Sequence, residues 1–597
     1  MAPSKPAVPP AELPVLIPAK LPKQVQNGGF VSSAACRECH QTQFTSWHAS
    51  FHRTMTQKAT PETVVAPFKN VRLASRGREC YLSQEGDKYF VTMADPDWEA
   101  GAQANGVDLS RANPPIVRRQ VVMTTGSHHM QGYWVSSTVG NMLRQIPWVY
   151  LIEEQRWAPR EDIFLAPADS GRHLAVWNDN CIVCHAVGGA PKFDLQNITV
   201  ATEVAELGIS CEACHGPGQP HIQFQRNIRT NSLQGTTDKD PVVNPSKCTQ
   251  QVASEICGQC HSYFVPPDIQ AFATGGYSYR AGGDLNASHN LISYQEAKEQ
   301  GNEAALASYW KDGTCRIAGR EYSAMIESSC YQKGSMTCLS CHSAHNSGPD
   351  DQLAEGMRTN QACVQCHSTY GDKIEEHTHH AAESTGSQCT NCHMPHTSFG
   401  LLRAMRSHRV QVPRVTDRRQ GDQPNACNLC HLDQTLAWSA EKLTSWYGHA
   451  PVELEQQERE TSAAVLWLIS GDAVQRAVAA WHMNWAPALK ASDDSWQMPF
   501  LAQLLTDDYA AVRFVAGKAL RRYPAFSELN YDYVANGRDL ERSKQKTLQL
   551  WSANTSGLPA QPARNRLLFD SDSGRLNERR LEELLKQRDR RPIFLPE

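Results

Sequence analysis

The chain has 597 residues, with 58 Lys+Arg against 62 Asp+Glu for a formal charge of −4, and 40% apolar residues. That length predicts about three to five domains or subdomains, and the missing basic excess gives no sign of a nucleic-acid partner. The longest clean apolar run, Ala463 to Ile469, falls far short of the ~18–20 residues of a transmembrane segment.

Residues 1–28 form a leader rich in Pro and Ala, read as an extended tether. Met1-Ala-Pro-Ser-Lys-Pro has no apolar h-region, so no signal peptide is visible and the sequence is read as a mature form or one with a misplaced start. Residues 29–180 open with Cys36-Arg-Glu-Cys39-His40. They continue through β-like runs at Lys88–Met93, Gln120–Thr124 and Trp148–Ile152, which predict a small mixed α/β part. Residues 181–435 carry seven more Cys-x-x-Cys-His motifs in a stretch too short for ordinary apolar cores. Residues 436–597 contain no motif. There Ala463–Ile469, Ala473–Met483, Phe500–Leu505 and Tyr509–Arg522 predict paired amphipathic helices, with Gly471-Asp472 and Asp507-Asp508 as turns or caps. Leu581, Leu584 and Leu585 predict one last amphipathic helix, read as a packing element.

The cysteines carry the chemistry. Sixteen of the 20 stand in eight Cys-x-x-Cys pairs, each followed at once by His. The pairs are Cys36 and Cys39, Cys181 and Cys184, Cys211 and Cys214, Cys257 and Cys260, Cys338 and Cys341, Cys363 and Cys366, Cys389 and Cys392, and Cys427 and Cys430. The histidines are His40, His185, His215, His261, His342, His367, His393 and His431. Zinc ribbons or redox dithiols use paired cysteines but do not need His at the next position every time. Eight covalently bound haem c groups explain all eight motifs. Two thioethers reach one macrocycle, and the adjacent imidazole stands under the iron. With seven motifs from Cys181 to His431, the porphyrins themselves must supply much of the buried apolar surface. The predicted class is mainly α with long loops, a multihaem cytochrome c fold built around packed haems. It has a small β-containing N-terminal part and a C-terminal helical layer. Of the remaining cysteines, Cys80 and Cys248 lack an obvious partner. Cys315 and Cys330 are read either as a disulfide or as buried free thiols.

Eight of the 23 histidines are in motifs, so fifteen remain to supply second axial ligands. His52 in WHASFH is a candidate, with His48 as its alternative, and so are His128 and His129 in TGSHHM. His221 lies six residues after CEACH. His345 follows CLSCH too closely to reach the same iron's other face and is assigned to a neighbouring haem. His377, His379 and His380 form HTHH, with surface metal binding as the rival reading. His396 and His408 complete the stronger set; His173, His289, His449 and His482 are weaker.

The segment CRECHQTQFTSWHASFHRTM resembles the first-haem signature of the cytochrome c-554 family. TGSHHMQGYWV, WNDNCIVCH, GISCEACHGPGQPH, SCYQKGSMTCLSCHSAH, HTHHAAESTGSQCTNCHMPHTSFGLLRAMRSH and PNACNLCHLDQTLAW are similar to a larger exported group of cytochromes with eight or so haems that end in HEAT-like or tetratricopeptide-like helices. The resemblance implies that His52, His221 and His408, with at least one of His377, His379 and His380, are distal ligands. It carries over to His128 or His129 less directly. It also implies closely packed bis-histidine haems that act as a wire. The expected function is electron transfer between periplasmic or extracellular redox proteins, one as donor and one as acceptor; a homo-oligomer or filament built through the tail is compatible with it. The alternative is an oxidoreductase for a small nitrogen or sulfur compound at one open-site haem. HTHH with Arg403, Arg406 and Arg409 would form its pocket.

Overall fold

In a computed structural model of the full chain, the described residues are 13, 15–16, 21–109, 111–167, 175–230, 239–416, 421–554, 562–570 and 573–595. Most of the leader and His173 lie outside them. The chain divides into two compact units. The first comprises Met1–Glu161, Gly171–Leu291 and Met336–Met357; the second Asp162–Ser170, Ile292–Ser335 and Arg358–Glu597. The motif-rich stretch thus feeds both, with five motifs in the first unit and three in the second.

The first unit is built on a nine-stranded sheet: β1 (Val15–Leu16), β2 (Thr56–Lys58), β3 (Val71–Ser75), β4 (Arg78–Glu85), β5 (Lys88–Ala94), β6 (Ile116–Thr125), β7 (Met130–Ser136), β8 (Leu143–Leu151) and β9 (Arg156–Pro159). β3 to β9 run in sequence order as an antiparallel meander. β2 joins β6 antiparallel and β1 joins it parallel. The three β-like runs of the sequence fall in β5, β6 and β8, but the sheet is larger than the small mixed part expected.

From β5 to β8 both faces of this sheet are buried, as the two-residue period of its side chains allows. On one face Phe68 packs edge-on against Tyr89, Tyr133 and Trp157 at 5.1–5.5 Å between ring centres. On the other, Trp134 of β7 joins Trp177, Ile182 and Val204, so the sheet is the wall behind the second motif. The helix Pro96–Ala104 locks onto the sheet through Asp97, which accepts from Arg119 at 2.9 Å, Arg144 at 3.1 Å and the Ser137 hydroxyl at 2.6 Å. Burial opposes charge on Asp97. Hydrogen bonds from Ser137 and Thr138 and the nearby Arg119 outweigh it and take the carboxyl down to about 2.

In the second unit the tail is helical where the periodicity predicts it: Ala463–Ser470, Ala473–His482, Met498–Gln503, Ala510–Leu520 and Glu578–Lys586. Gly471-Asp472 is a cap, as expected. The Asp472 carboxylate accepts the Gln475 N–H at 2.8 Å, and the Gln475 side chain accepts the Asp472 N–H at 3.0 Å. Asp507 ends the next turn and takes both arms of the Arg476 guanidinium, at 2.8 and 3.0 Å, with Arg588 added at 3.2 Å. Arg476 and Asp507 are 2% and 0% exposed, so the pair is a desolvated staple that relies on mutual satisfaction. Arg316, next to Cys315, donates to Asp472 at 2.8 Å and ties the motif-bearing part of this unit to its helical layer.

Cys80 and Cys315 are buried free thiols, and Cys248 and Cys330 are free and half-buried. The Cys315–Cys330 disulfide does not form. Cys80 is paired across the β3–β4 hairpin, opposite Leu73, and serves as a small apolar side chain.

Candidate functional site

Each motif sits on a short helical turn, which explains its spacing. The His40, His342, His367 and His431 amides donate to the carbonyls of Cys36, Cys338, Cys363 and Cys427 at 2.8–2.9 Å. One i→i+4 turn therefore stacks the imidazole on the face that carries the first sulfur. Cys211–His215 and Cys389–His393 are complete helical turns, and His261 ends the helix Gln250–His261. The second motif enters through a π-turn at Trp177–Cys181, anchored by buried Trp177. The fifth motif combines its i→i+4 bond with a tighter turn. Its Cys338–Ser340 segment is a 3₁₀ turn that closes at Cys341, whose N–H donates to the Cys338 carbonyl at 3.2 Å. The Cys341 carbonyl in turn accepts the Ala354 N–H at 2.9 Å, which pins the second sulfur-bearing residue to the loop that follows. None of the sixteen motif thiols is spent in a disulfide. Cys39 and Cys366 are exposed, and the other fourteen, Cys341 among them, are half-buried.

The motifs of each unit lie side by side. The Cys36 and Cys211 thiols share a hydrogen bond, as do Cys184 with Cys260, Cys257 with Cys338 and Cys363 with Cys389. Cys214 feels Cys257, and Cys427 and Cys430 both feel Cys392. The fourth motif is thus the hub of the first unit, adjoining the second, third and fifth. The sixth, seventh and eighth form a row in the second unit.

Five motif imidazoles each face a second imidazole. The ring centres are 6.1 Å apart for His40–His221, 6.4 Å for His52–His261, 6.3 Å for His215–His345, 6.2 Å for His377–His393 and 6.0 Å for His380–His431. An iron bonded at about 2.0 Å to each of two imidazole nitrogens, with each ring centre about 1.1 Å further on, sets the centres about 6.2 Å apart. The residues present therefore fit a haem iron held between two histidines. His345 faces His215 of the third motif, not its own His342. HTHH splits its rings because His379 adopts left-handed backbone (φ 55°). His377 faces the seventh motif and His380 the eighth, while His379 stacks on Trp446 at 4.2 Å.

Hydrogen bonds fix which ring nitrogen is left for a metal. The Nδ1–H of His215, His342 and His393 donates to the carbonyls of Val243, Asp351 and Gln411 at 2.7, 2.9 and 2.8 Å. His185 reaches Met55 at 3.3 Å, and His380 reaches Thr378 at 2.6 Å. A carbonyl only accepts, so Nδ1 carries the proton and Nε2 presents its lone pair. Burial, with His261 nearby, pushes His52 down to about 4 and keeps the ring neutral.

Three motif histidines remain: His185, His342 and His367. His128 and His129 stack on each other at 3.8 Å, and His128 stacks on Phe51 at 4.2 Å. His128 lies 3.6 Å from Asp350, next to the carbonyl that holds His342. The His408 carbonyl accepts from Ser328, two residues from Cys330, which feels Cys366 of the sixth motif. His396 packs among Trp481, Trp485 and His482, and His289 against Phe264 and Tyr277. Two of the three arginines suggested for a substrate pocket, Arg406 and Arg409, are engaged elsewhere. Arg406 donates to the Thr390 and Met394 carbonyls and to Asn391, and Arg409 to the Asp312 carbonyl and Thr314. Asp240, which accepts from His221 at 2.7 Å, carries no signal in the sequence; it lies in a charged loop 19 residues beyond its partner.

A family model described as cytochrome c554 and c-prime matches residues 35–101 and 166–216, and one described as a doubled CXXCH motif matches residues 331–372. Multiheme cytochrome MtrA of Shewanella baltica (strain OS185) is 23% identical over 204 residues, 33% of this chain and 55% of that protein. The chain thus spans about half the length of this curated relative. The crystal structure of outer cell wall cytochrome OcwA aligns over 87% of this chain and 100% of its own at 16% identity, with a TM-score of 0.47. The motifs and the family and relative matches make the chain a multihaem c-type cytochrome with haem bound covalently through CXXCH motifs.

Proposed function

We propose that the chain is an octahaem electron-transfer cytochrome, exported to the periplasm or beyond. In this reading it passes electrons between a donor and an acceptor protein through bis-histidine haems. The observation that carries the reading is the set of five facing imidazole pairs at 6.0–6.4 Å, each joining a motif histidine to a non-motif one. Haem iron, cycling between ferric and ferrous, supplies the one-electron chemistry.

The chain's own residues do the rest. His52, His221, His345, His377 and His380 close the faces opposite His261, His40, His215, His393 and His431. His128, His129 and His408 are assigned to the three remaining motif histidines, His185, His342 and His367. Imidazoles that would hold the group from both sides in either oxidation state would leave little of the protein to reorganise on electron transfer. Two neutral imidazoles also favour lower potentials than a Met/His pair. The abutting cysteines within each unit bring successive attachment sites together. The tail, read as HEAT-like, buttresses the second unit through Arg316 and Asp472. Export follows from the covalent attachment chemistry, which takes place outside the cytoplasm.

The test is spectroscopic. The oxidised holoprotein should be wholly low-spin and unresponsive to cyanide, nitrite or hydroxylamine, and should titrate over a broad span of mostly negative potentials. A high-spin ferric component that binds those ligands would replace this reading with catalysis at an open site.

A further inference from the structure

The structure assigns to Asp240 the role of setting the donor strength of one axial imidazole, His221, and so of holding its iron at a lower potential. This rests on the His40–His221 pairing proposed above. His221 and Gln225 lie one turn apart on the helix Gly218–Arg229, where i and i+4 side chains share a face. Both converge on one carboxylate. The His221 Nδ1–H donates to Asp240 Oδ1 at 2.7 Å, and Gln225 Nε2 donates to Oδ2 at 2.7 Å. The Val242 N–H adds a third bond to Oδ1 at 3.1 Å. Two side-chain donors and one backbone N–H thus converge on the Asp240 carboxylate and fix it against the imidazole.

The carboxylate sets this ring apart from its counterparts. His185, His215, His342, His380 and His393 donate Nδ1–H to neutral backbone carbonyls. A carboxylate draws the Nδ1 proton more strongly, so Nε2 becomes a better σ-donor. It also places a negative charge one ring away from the iron. Both effects favour ferric over ferrous iron. Gln225 has a positioning role: it fixes the second carboxylate oxygen so that Oδ1 keeps to the imidazole.

The test uses the full-length holoprotein, potentiometric titration and EPR. Asp240→Asn keeps an acceptor oxygen and removes the charge. One of the eight midpoints should rise by about a tenfold change in the reduction equilibrium, about 59 mV for one electron, while the spectrum stays low-spin. Asp240→Glu should restore most of the shift. The wave that moves must be the one driven far positive in His221→Met, where a Met/His pair raises the potential. Unchanged midpoints with intact low-spin spectra would overturn the role of Asp240 and leave the ligand assignment standing. Equal shifts spread over several waves, or high-spin iron in Asp240→Asn, would also overturn it, as diffuse electrostatics or simple ring placement. A His221→Met protein with unaltered spin state and potentials would instead sink the His40–His221 pairing.

Discussion

Replacing His52 with Ala isolates one of the proposed axial pairs, whose geometry differs from the rest. The His52 and His261 planes are 84° apart, whereas His377–His393 and His215–His345 stand at 5° and 20°. Near-perpendicular imidazole planes leave the two upper iron dπ orbitals almost degenerate and give a highly anisotropic low-spin EPR signal. Near-parallel planes split those orbitals and give an ordinary rhombic one. His52→Ala should therefore convert one iron in eight to high spin and remove a matching share of the anisotropic signal, leaving the rhombic signals at full intensity. Spin quantitation at liquid-helium temperature reads both changes in one sample. An anisotropic signal that survives His52→Ala undiminished, or a loss taken from the rhombic population, would refute the assignment of His52 to the iron at His261.

Other outcomes follow from the same contacts. Gly208 has φ +75°, and a Cβ there would meet the Arg53 carbonyl at 2.2 Å, next to His52; Gly208→Ala should produce a partial form of the same high-spin conversion. Asp507→Ala leaves Arg476 and Arg588 buried without their carboxylate and should cost about 3–5 kcal/mol, read as a lower denaturant midpoint for the second unit. Burial pushes His482 down to about 4 in the folded protein, against an ordinary value of about 6.5 when unfolded. The unfolded chain thus binds more protons as pH falls from about 6.5 to 4, and stability should drop across that window. His482→Asn should flatten this dependence, and identical pH profiles for the two proteins would count against the buried neutral ring.

Much of the site could be read from sequence because its chemistry is local. A Cys-x-x-Cys-His turn is complete within five residues, and the helical tail announces itself through the spacing of Val512, Val515, Ala516 and Ala519. The assignment of His345 away from His342 needed only the reach of a three-residue spacer. What stayed hidden depends on contacts distant in sequence. His52 meets His261 across about 200 residues of chain, and no local pattern encodes that. The Cys341 carbonyl is held by Ala354, beyond the motif's own five residues. The rings of HTHH could not be divided between the seventh and eighth motifs without the left-handed turn at His379. The sheet was underestimated because β3 and β4 alternate apolar with charged residues, as in VRLAS and RECYLSQE, and one exposed face masks the periodicity of the other.

The most direct test of the account is the intact mass of the purified, denatured holoprotein. Eight covalent additions of about 616 Da each, one for every Cys-x-x-Cys-His motif, are predicted. A mass equal to the bare chain, or one that stops short of eight additions in a fully matured sample, would contradict it.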